Sequence, residues 1–165
     1  MPPPESVILG DERVLADFWL DYHRQTLLWK CRGLTAEQLK ACPIEPSHLC
    51  LLGLVRHMAE VERDWFRVRF AGEQPGYLYV TDQDIDAEFG VDGADAEADF
   101  ATYAREVEVV HTLLRGRSLG ETFLDPRRQV EMSLRWVYTV MIQEYARHNG
   151  HADLIRERLD GSVGH

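Results

Sequence analysis

Apolar residues recur at three- and four-residue steps along most of the chain, which is the spacing of one buried helical face. This spacing predicts four long helices, from about Asp11 to Cys31, His48 to about Phe70, Asp95 to about Arg115, and Ser133 to Gly161. Aromatic residues of the first helix, among them Trp19, Tyr22 and Trp29, are expected in the core or at its rim. No alternating apolar run is long enough to build a sheet, so the pattern predicts an all-α fold.

Polar and glycine residues at the ends of these runs mark the expected boundaries. Thr35 with Gln38 forms a capping-box pattern for a short helical turn. Ser47 and Ser133 are expected to cap the second and fourth helices, and Gly161 lies where glycine commonly follows a helix end.

The segment from Ala71 to about Ala94 is long for a connection between packed helices. Four apolar residues within it are expected to pack against the helices: Tyr77, Leu78, Tyr79 and Phe89. A long segment that covers a helical face in this way is a candidate lid.

The length of 165 residues suits one domain, 1–165, in which residues 1–10 are expected to form a flexible tail. Three cysteines do not make a disulfide framework, which favours a reducing, cytoplasmic environment. The N-terminus has no secretion signal pattern and no stretch approaches the length of a transmembrane span. Secretion and membrane insertion are therefore not expected.

The formal net charge is −10, from 18 basic and 28 acidic residues, which disfavours nucleic-acid binding. Acidic residues accumulate between Asp82 and Asp99, a segment expected to be a solvated loop and a helix start. Its alternating acids lack the glycine and glutamate spacing of a calcium loop.

Polar groups lie on the apolar face of the fourth helix. At about 100° per residue, His148 lies at the centre of that face, between Met141 and Ile155, with Glu144 and His151 on either side. Burying three such groups costs several kcal/mol unless something pairs with them, and a bound cation is a suitable partner. The sequence therefore predicts a metal-binding helical bundle.

A third ligand is expected from another helix, and His57, at the edge of the second helix's apolar stripe, is the candidate. Taken alone, His57 is better explained as a hydrogen-bonded core residue, whereas three adjacent polar groups are harder to satisfy without an ion. Gly150, which costs about 1 kcal/mol within a helix relative to alanine, is expected to allow close approach of backbone or ligand.

The segments LVRHMAEVERDWF and IQEYARHNGHADLIRERLDG together resemble the DinB/YfiT-like superfamily, which includes mycothiol-dependent maleylpyruvate isomerase, and in particular a branch of small bacterial DinB-like proteins. The resemblance spans nearly the whole chain. It implies a four-helix bundle with a long crossover connection, a divalent metal held by three side chains, and a homodimer. The ligands it implies are His57, Glu144 and His148, with His151 beside them as a substrate-facing group or an alternate ligand.

Two histidines and one carboxylate leave open positions on an ion, which is typical of catalytic sites. The resemblance implies an enzyme that uses a low-molecular-weight thiol such as mycothiol, as an S-transferase or thiol-dependent isomerase acting on a small electrophile. Zinc is favoured modestly, and nickel or ferrous iron remains open. A metal-dependent hydrolase and a non-catalytic, metal-binding dimeric bundle are the alternatives.

Further roles follow from this hypothesis. His151 is a candidate proton shuttle, and Glu60 and Asp64 are candidates for orienting the imidazole of His57. Arg147 and Arg156 are candidates for steadying an anionic substrate.

Overall fold

The computed structural model describes residues 4–164, which are mostly helical. The helices are α1 (Glu5–Ile8), α2 (Glu12–Cys31), α3 (Ala36–Lys40), α4 (Leu51–Glu62), α5 (Ala96–Leu114) and α6 (Leu134–Asp160). A π-helix (Arg63–Phe70) continues α4, and a 3-10 turn (Ala87–Phe89) precedes α5. No helix of residues 4–164 is long and apolar enough to cross a bilayer.

Local capping confirms most of the predicted helix boundaries. The side chain of Asp11 accepts a hydrogen bond from the first turn of α2, and Thr35 and Gln38 form the expected capping box at α3. Ser133 caps α6, which ends at Gly161 in the left-handed conformation, with a φ of 79°.

The predicted start of the second long helix was wrong by three residues. The hydroxyl of Ser47 accepts from the backbone of Leu49, so it stabilises the approach to the helix and not its first turn. Cys50 is extended and its sulfur accepts from the backbone N–H of Gly53. The helix therefore begins at Leu51.

Four long helices carry the core. Helix α2 packs against α6, α4 packs against α5, and α4 also contacts α2 and α6. The aromatic residues of α2 lie at the rim, one of the two places expected for them: Trp19, Tyr22 and Trp29 are 39%, 37% and 41% exposed. The inward positions belong to Leu20 and Leu27, with Arg24 between them held by an internal ion pair.

The described residues are mainly helical, as predicted, and a small hairpin is an addition that the sequence pattern did not predict. Strands β1 (Thr122–Leu124) and β2 (Glu131–Ser133) pair antiparallel between α5 and α6. Three residues in each strand are too few to show an alternating pattern. The buried carboxylate of Asp125 fixes the turn by accepting hydrogen bonds from the backbone of Arg127 and Arg128 and from the side chain of Arg69.

The long connection between the π-helix and α5 lies against α4, as expected. Leu78, Tyr79 and Phe89 pack on the core, whereas Tyr77 is 57% exposed and was wrongly expected to pack. The connection is held by Glu60, whose carboxylate accepts hydrogen bonds from the backbone of Leu78 and Tyr79.

The N-terminal residues expected to be a tail are partly helical. Glu5–Ile8 form the single turn α1, which contacts α2. Residues 1–3 of the expected tail lie outside the described residues.

Candidate metal centre

His57 from α4 meets Glu144 and His148 from α6. One ligand atom from each of the three side chains lies within 4.8 Å of the other two. All three residues are partly buried. The structure thus brings together the three residues that the sequence analysis selected as ligands.

His148 lies at the centre of the group. Its Nε2 is 3.5 Å from a carboxylate oxygen of Glu144, and its ring centroid is 4.6 Å from that of His57. Burial, followed by the neighbouring His57 and His151, lowers the pKa of His148 from 6.5 to about 4. The imidazole is therefore neutral near pH 7, which is the form that binds a metal.

The imidazole of His57 is oriented by Glu88, from the 3-10 turn. Nδ1 of His57 lies 3.1 Å from Oε1 of Glu88, and Phe89 stacks on the same ring at a centroid distance of 5.6 Å. Glu88 is only 4% exposed. A carboxylate on one ring nitrogen fixes the tautomer and leaves the other nitrogen for an ion.

Glu88 takes the position that the sequence analysis assigned to Glu60 or Asp64. Glu60 binds the backbone of the long connection, and Asp64 pairs with Arg69 and Arg127. Glu88 belongs to the acidic segment that was expected to be solvated. The expected packing of its neighbour Phe89 was the available signal that this turn lies against α4.

His151 lies on the other side of His148. The Nδ1 atoms of the two rings are 3.4 Å apart, and the ring centroids are 5.3 Å apart. With one of these nitrogens protonated, the pair can share that proton. His151 is thus placed to hold the ring of His148 and to exchange a proton with it.

Neither arginine predicted to bind substrate lines the cavity beside His57. Arg147 is exposed, and its charge is among the causes that lower the pKa of His148, after burial and the two neighbouring histidines. Arg156 donates hydrogen bonds to the carbonyl oxygens of Lys30 and Arg32 and pairs with Asp160.

No other segment of the described chain approaches Gly150 closely, so of the two predicted uses the approach of backbone was wrong. A Cβ atom built there would meet nothing within 4 Å, apart from the chain neighbours and the backbone of its own helix. Close approach occurs instead at Gly53, where a Cβ would lie 2.8 Å from the ring of Phe89. This glycine lets the turn that carries Glu88 rest on α4.

A cavity of about 660 Å³ opens beside His57. One wall is the face of α4 and the π-helix that carries His57, Val61 and Trp65, and the opposite wall is the long connection, including Tyr77 and Glu88. The turn of the hairpin closes one side. Cavities of about 300 to 1,000 Å³ are typical of small-molecule sites.

The three converging residues fit a divalent metal ion. Two imidazoles and one carboxylate suit zinc, nickel or ferrous iron, whose bonds to such groups are about 2 Å long. Donor atoms within 4.8 Å of one another need only small side-chain rotations to close around one ion. Three protein ligands would leave a position open on the ion.

Comparison with known proteins gives one family. The family model described as Mycothiol-S-transferase (MST) matches residues 15–161, a span that contains every residue discussed in this section. No curated protein and no solved structure matches significantly.

Proposed function

Because the chain belongs to the mycothiol-S-transferase family, within the DinB/YfiT-like superfamily, we propose that it is a metal-dependent enzyme that transfers a low-molecular-weight thiol to a small electrophile. Mycothiol is the proposed thiol. The observation that carries the proposal is the convergence of His57, Glu144 and His148, of which His57 also lines a cavity of small-molecule size.

The proposed ligands are His57, Glu144 and His148, and zinc is the first candidate ion, with nickel or iron as the others. A bound divalent cation would lower the pKa of a thiol, so that the nucleophilic thiolate exists at neutral pH. The lowered pKa of His148 supports this assignment, because protons then compete less with a metal for that imidazole.

Residues around the ligands have distinct proposed roles. Glu88 holds His57 through Nδ1, which leaves Nε2 as the proposed ligand atom. His151 accepts a hydrogen bond from Nδ1–H of His148, which leaves Nε2 of His148 for the ion. The other nitrogen of the partly exposed His151 ring is the proposed proton shuttle to solvent. The thiol would give its proton to this nitrogen of His151 as the thiolate forms. The sulfur would then form its bond to the electrophile, and the leaving group would depart with the electron pair of the broken bond.

The same proposal extends to architecture and assembly. The four helices α2, α4, α5 and α6 would form a DinB-type four-helix bundle, with the long connection before α5 as its crossover. We expect a homodimer in the cytoplasm, where thiols stay reduced. Exposed aromatic residues on α2 and α6, including Trp19 and Trp136, support a dimer, which sedimentation would test.

Metal content and thiol conjugation, measured on the same preparations, test the proposed site. We expect about one ion per chain in the wild type and loss of both metal and conjugation in His57→Ala and His148→Ala. His48→Ala, at an exposed histidine away from the cavity, is the matched control and should keep both. Conjugation that persists in metal-free His148→Ala would contradict the proposal, and hydrolysis without thiol would favour a hydrolase.

A further inference from the structure

The cavity beside His57 has an excess of negative charge. Five carboxylates line it, on Glu60, Asp64, Glu73, Asp82 and Glu88, against two guanidinium groups, on Arg63 and Arg127. A cleft lined by one sign of charge raises the local concentration of ligands of the opposite sign. Two of the five carboxylates are paired with arginines: Glu73 with Arg67, and Asp64 with Arg69 and Arg127. Among the described residues, the carboxylates of Glu60, Asp82 and Glu88 make no ion pair with an arginine or lysine, so their charge favours cations over anions in the cavity.

Both guanidinium groups in the lining are already committed to protein acceptors. Arg63 donates to the buried carboxylate of Glu106 at 2.6 Å and to the carbonyl of Gly76 at 3.0 Å. Arg127 pairs with Asp64. An anionic group of a substrate would have to displace these internal partners before either arginine could bind it.

Two carboxylates in the lining have oxygen atoms that are free to accept a hydrogen bond from a ligand. Oε2 of Glu88 is buried and has no hydrogen-bond partner within residues 4–164, while Oε1 holds His57. Asp82 is exposed, and within the same described range its side chain takes part in no hydrogen bond or ion pair. A buried polar atom without a partner is unfavourable, and a ligand that brings a proton donor or a positive charge would relieve it.

The aromatic residues of the lining suit the same kind of ligand. Tyr77, 57% exposed, and Trp65 both line the cavity, and the guanidinium of Arg69 already lies 4.2 Å from the ring centroid of Trp65. The faces of such rings attract cations, and quaternary ammonium groups in particular. The walls also include apolar side chains such as Val61, Val68 and Ile85, which suit an apolar body.

We infer that the electrophile accepted by this site is an organic cation, an amine or quaternary ammonium group on an apolar body, and not an anion. The inference rests on the proposed thiol transfer for the identity of the reaction, but on the cavity for the charge of the substrate. It reverses the expectation of an anionic substrate held by Arg147 or Arg156.

Three N-aryl chloroacetamides that differ only in the para substituent test this inference: trimethylammonium, tert-butyl and sulfonate. In each, the mycothiol sulfur forms a C–S bond at the CH₂ carbon, chloride leaves with the C–Cl electron pair, and the thiol proton passes to buffer. We expect kcat/KM, divided by the uncatalysed rate constant of each compound, to be at least about tenfold higher for the cation than for the sulfonate. Added salt should reduce this ratio, because exposed charges are screened.

A matched pair of variants locates the effect. Asp82→Asn removes a carboxylate of the cavity, whereas Asp92→Asn makes the same chemical change at an exposed position outside it. We expect Asp82→Asn to lower the ratio of cation to anion by about two- to fivefold and Asp92→Asn to leave it unchanged. Equal effects of the two variants, or a sulfonate that reacts as well as the trimethylammonium compound at low salt, would overturn the inference.

Equilibrium binding separates this inference from the proposed reaction. The corresponding acetamides, with hydrogen in place of chlorine, cannot react, and calorimetry measures their affinity for the purified protein directly. If no chloroacetamide is conjugated but the cationic acetamide binds best, the proposed thiol transfer fails and the charge preference stands. If conjugation proceeds but the three acetamides bind equally, the thiol transfer stands and the charge preference is overturned.

Discussion

At the scale of single residues, the site depends on groups whose ordinary behaviour is changed by their neighbours. His148 is kept neutral by burial and by the two histidines next to it. His57 is held by a carboxylate that comes from 31 residues further along the chain. Both arrangements suit imidazoles that bind a metal, because a ligand must be unprotonated and correctly oriented.

Removing the charge of Glu88 is expected to weaken metal binding without unfolding the protein. Glu88→Gln keeps the shape of the side chain but takes away the carboxylate that fixes the His57 tautomer, and loss of such partners typically costs about 10- to 100-fold in metal affinity. Competition with a chromophoric chelator measures the change. Glu97→Gln, at an exposed position in the first turn of α5, is the control, and equal affinities in the two variants would argue against the role of Glu88.

The lowered pKa of His148 predicts how stability of the metal-free protein depends on pH. Between its folded pKa of about 4 and its ordinary 6.5, the unfolded chain binds more protons at this residue than the folded chain does. Acidification over this window therefore lowers the free energy of unfolding. We expect His148→Gln to lose less stability than the wild type between about pH 7 and about pH 4.5, as measured by urea unfolding. Identical losses would contradict the assignment.

At the scale of elements, helix α4 and the turn that rests on it form the wall of the site. Continuation of α4 as a π-helix keeps His57, Val61 and Trp65 on one face of the cavity. The 3-10 turn approaches this helix closely at Gly53, where there is no side chain to keep Phe89 away. The position of Glu88 thus depends on a glycine that is far from it in sequence.

Gly53→Ala is expected to destabilise the protein and weaken its metal binding together. The added methyl group would lie 2.8 Å from the ring of Phe89, and overpacking of this kind costs about 1–3 kcal/mol. Displacement of the turn would also move Glu88 from His57. Thermal unfolding and chelator competition on the same variant measure the two effects. A fully stable variant with normal metal affinity would show that the close contact is unimportant.

Gly150→Ala, at a second helical glycine, is expected to stabilise the protein, in contrast to Gly53→Ala. A Cβ there meets nothing within 4 Å outside its own helix, and alanine restricts the unfolded chain more than glycine does. We expect stabilisation by about 0.4–1 kcal/mol, measured by urea unfolding, with unchanged metal content. Destabilisation would indicate that this surface of α6 is covered by another molecule.

At the scale of the whole molecule, one buried network joins the four long helices. Arg24 of α2 makes two hydrogen bonds of 2.7 Å to Glu62 of α4, and the hydroxyl of Tyr145 on α6 donates to the same carboxylate at 2.7 Å. The hydroxyl of Tyr103 on α5 is 2.9 Å from that of Tyr145. Because each helix contributes one group, the network fixes how the helices are arranged around the core.

Glu62→Gln is expected to destabilise the fold by about 3–5 kcal/mol, because it removes the buried charged partner of the Arg24 guanidinium and leaves, among the described residues, only the half-exposed Asp21. Tyr145→Phe, which removes one hydrogen bond, should cost about 1 kcal/mol. Urea unfolding measures both. The exposed pair of Glu12 and Arg135 is the control, since Glu12→Gln should leave stability unchanged. If Glu62→Gln and Glu12→Gln both change the free energy of unfolding only slightly, the buried network does not stabilise the fold.

Much of the helical architecture was predictable from local sequence. The ends of α2, α3, α5 and α6 follow from apolar periodicity and from caps such as Asp11, Thr35 and Ser133, which act within one helical turn. The start of α4 and the hairpin were not predictable. Cys50 is an unusual cap, and the two short strands are fixed by Asp125 and by contacts across the chain.

The sequence by itself determined the helices and the presence of Glu144, His148 and His151 on an inward face, because residues three and four apart on one helix share a side whatever surrounds it. The tertiary structure decided which distant groups join them. Glu88 reaches His57 only because the long connection folds back on α4, and the acidic lining of the cavity comes from separate segments of the chain. Contacts of this kind depend on the packing of whole elements, so no local pattern records them.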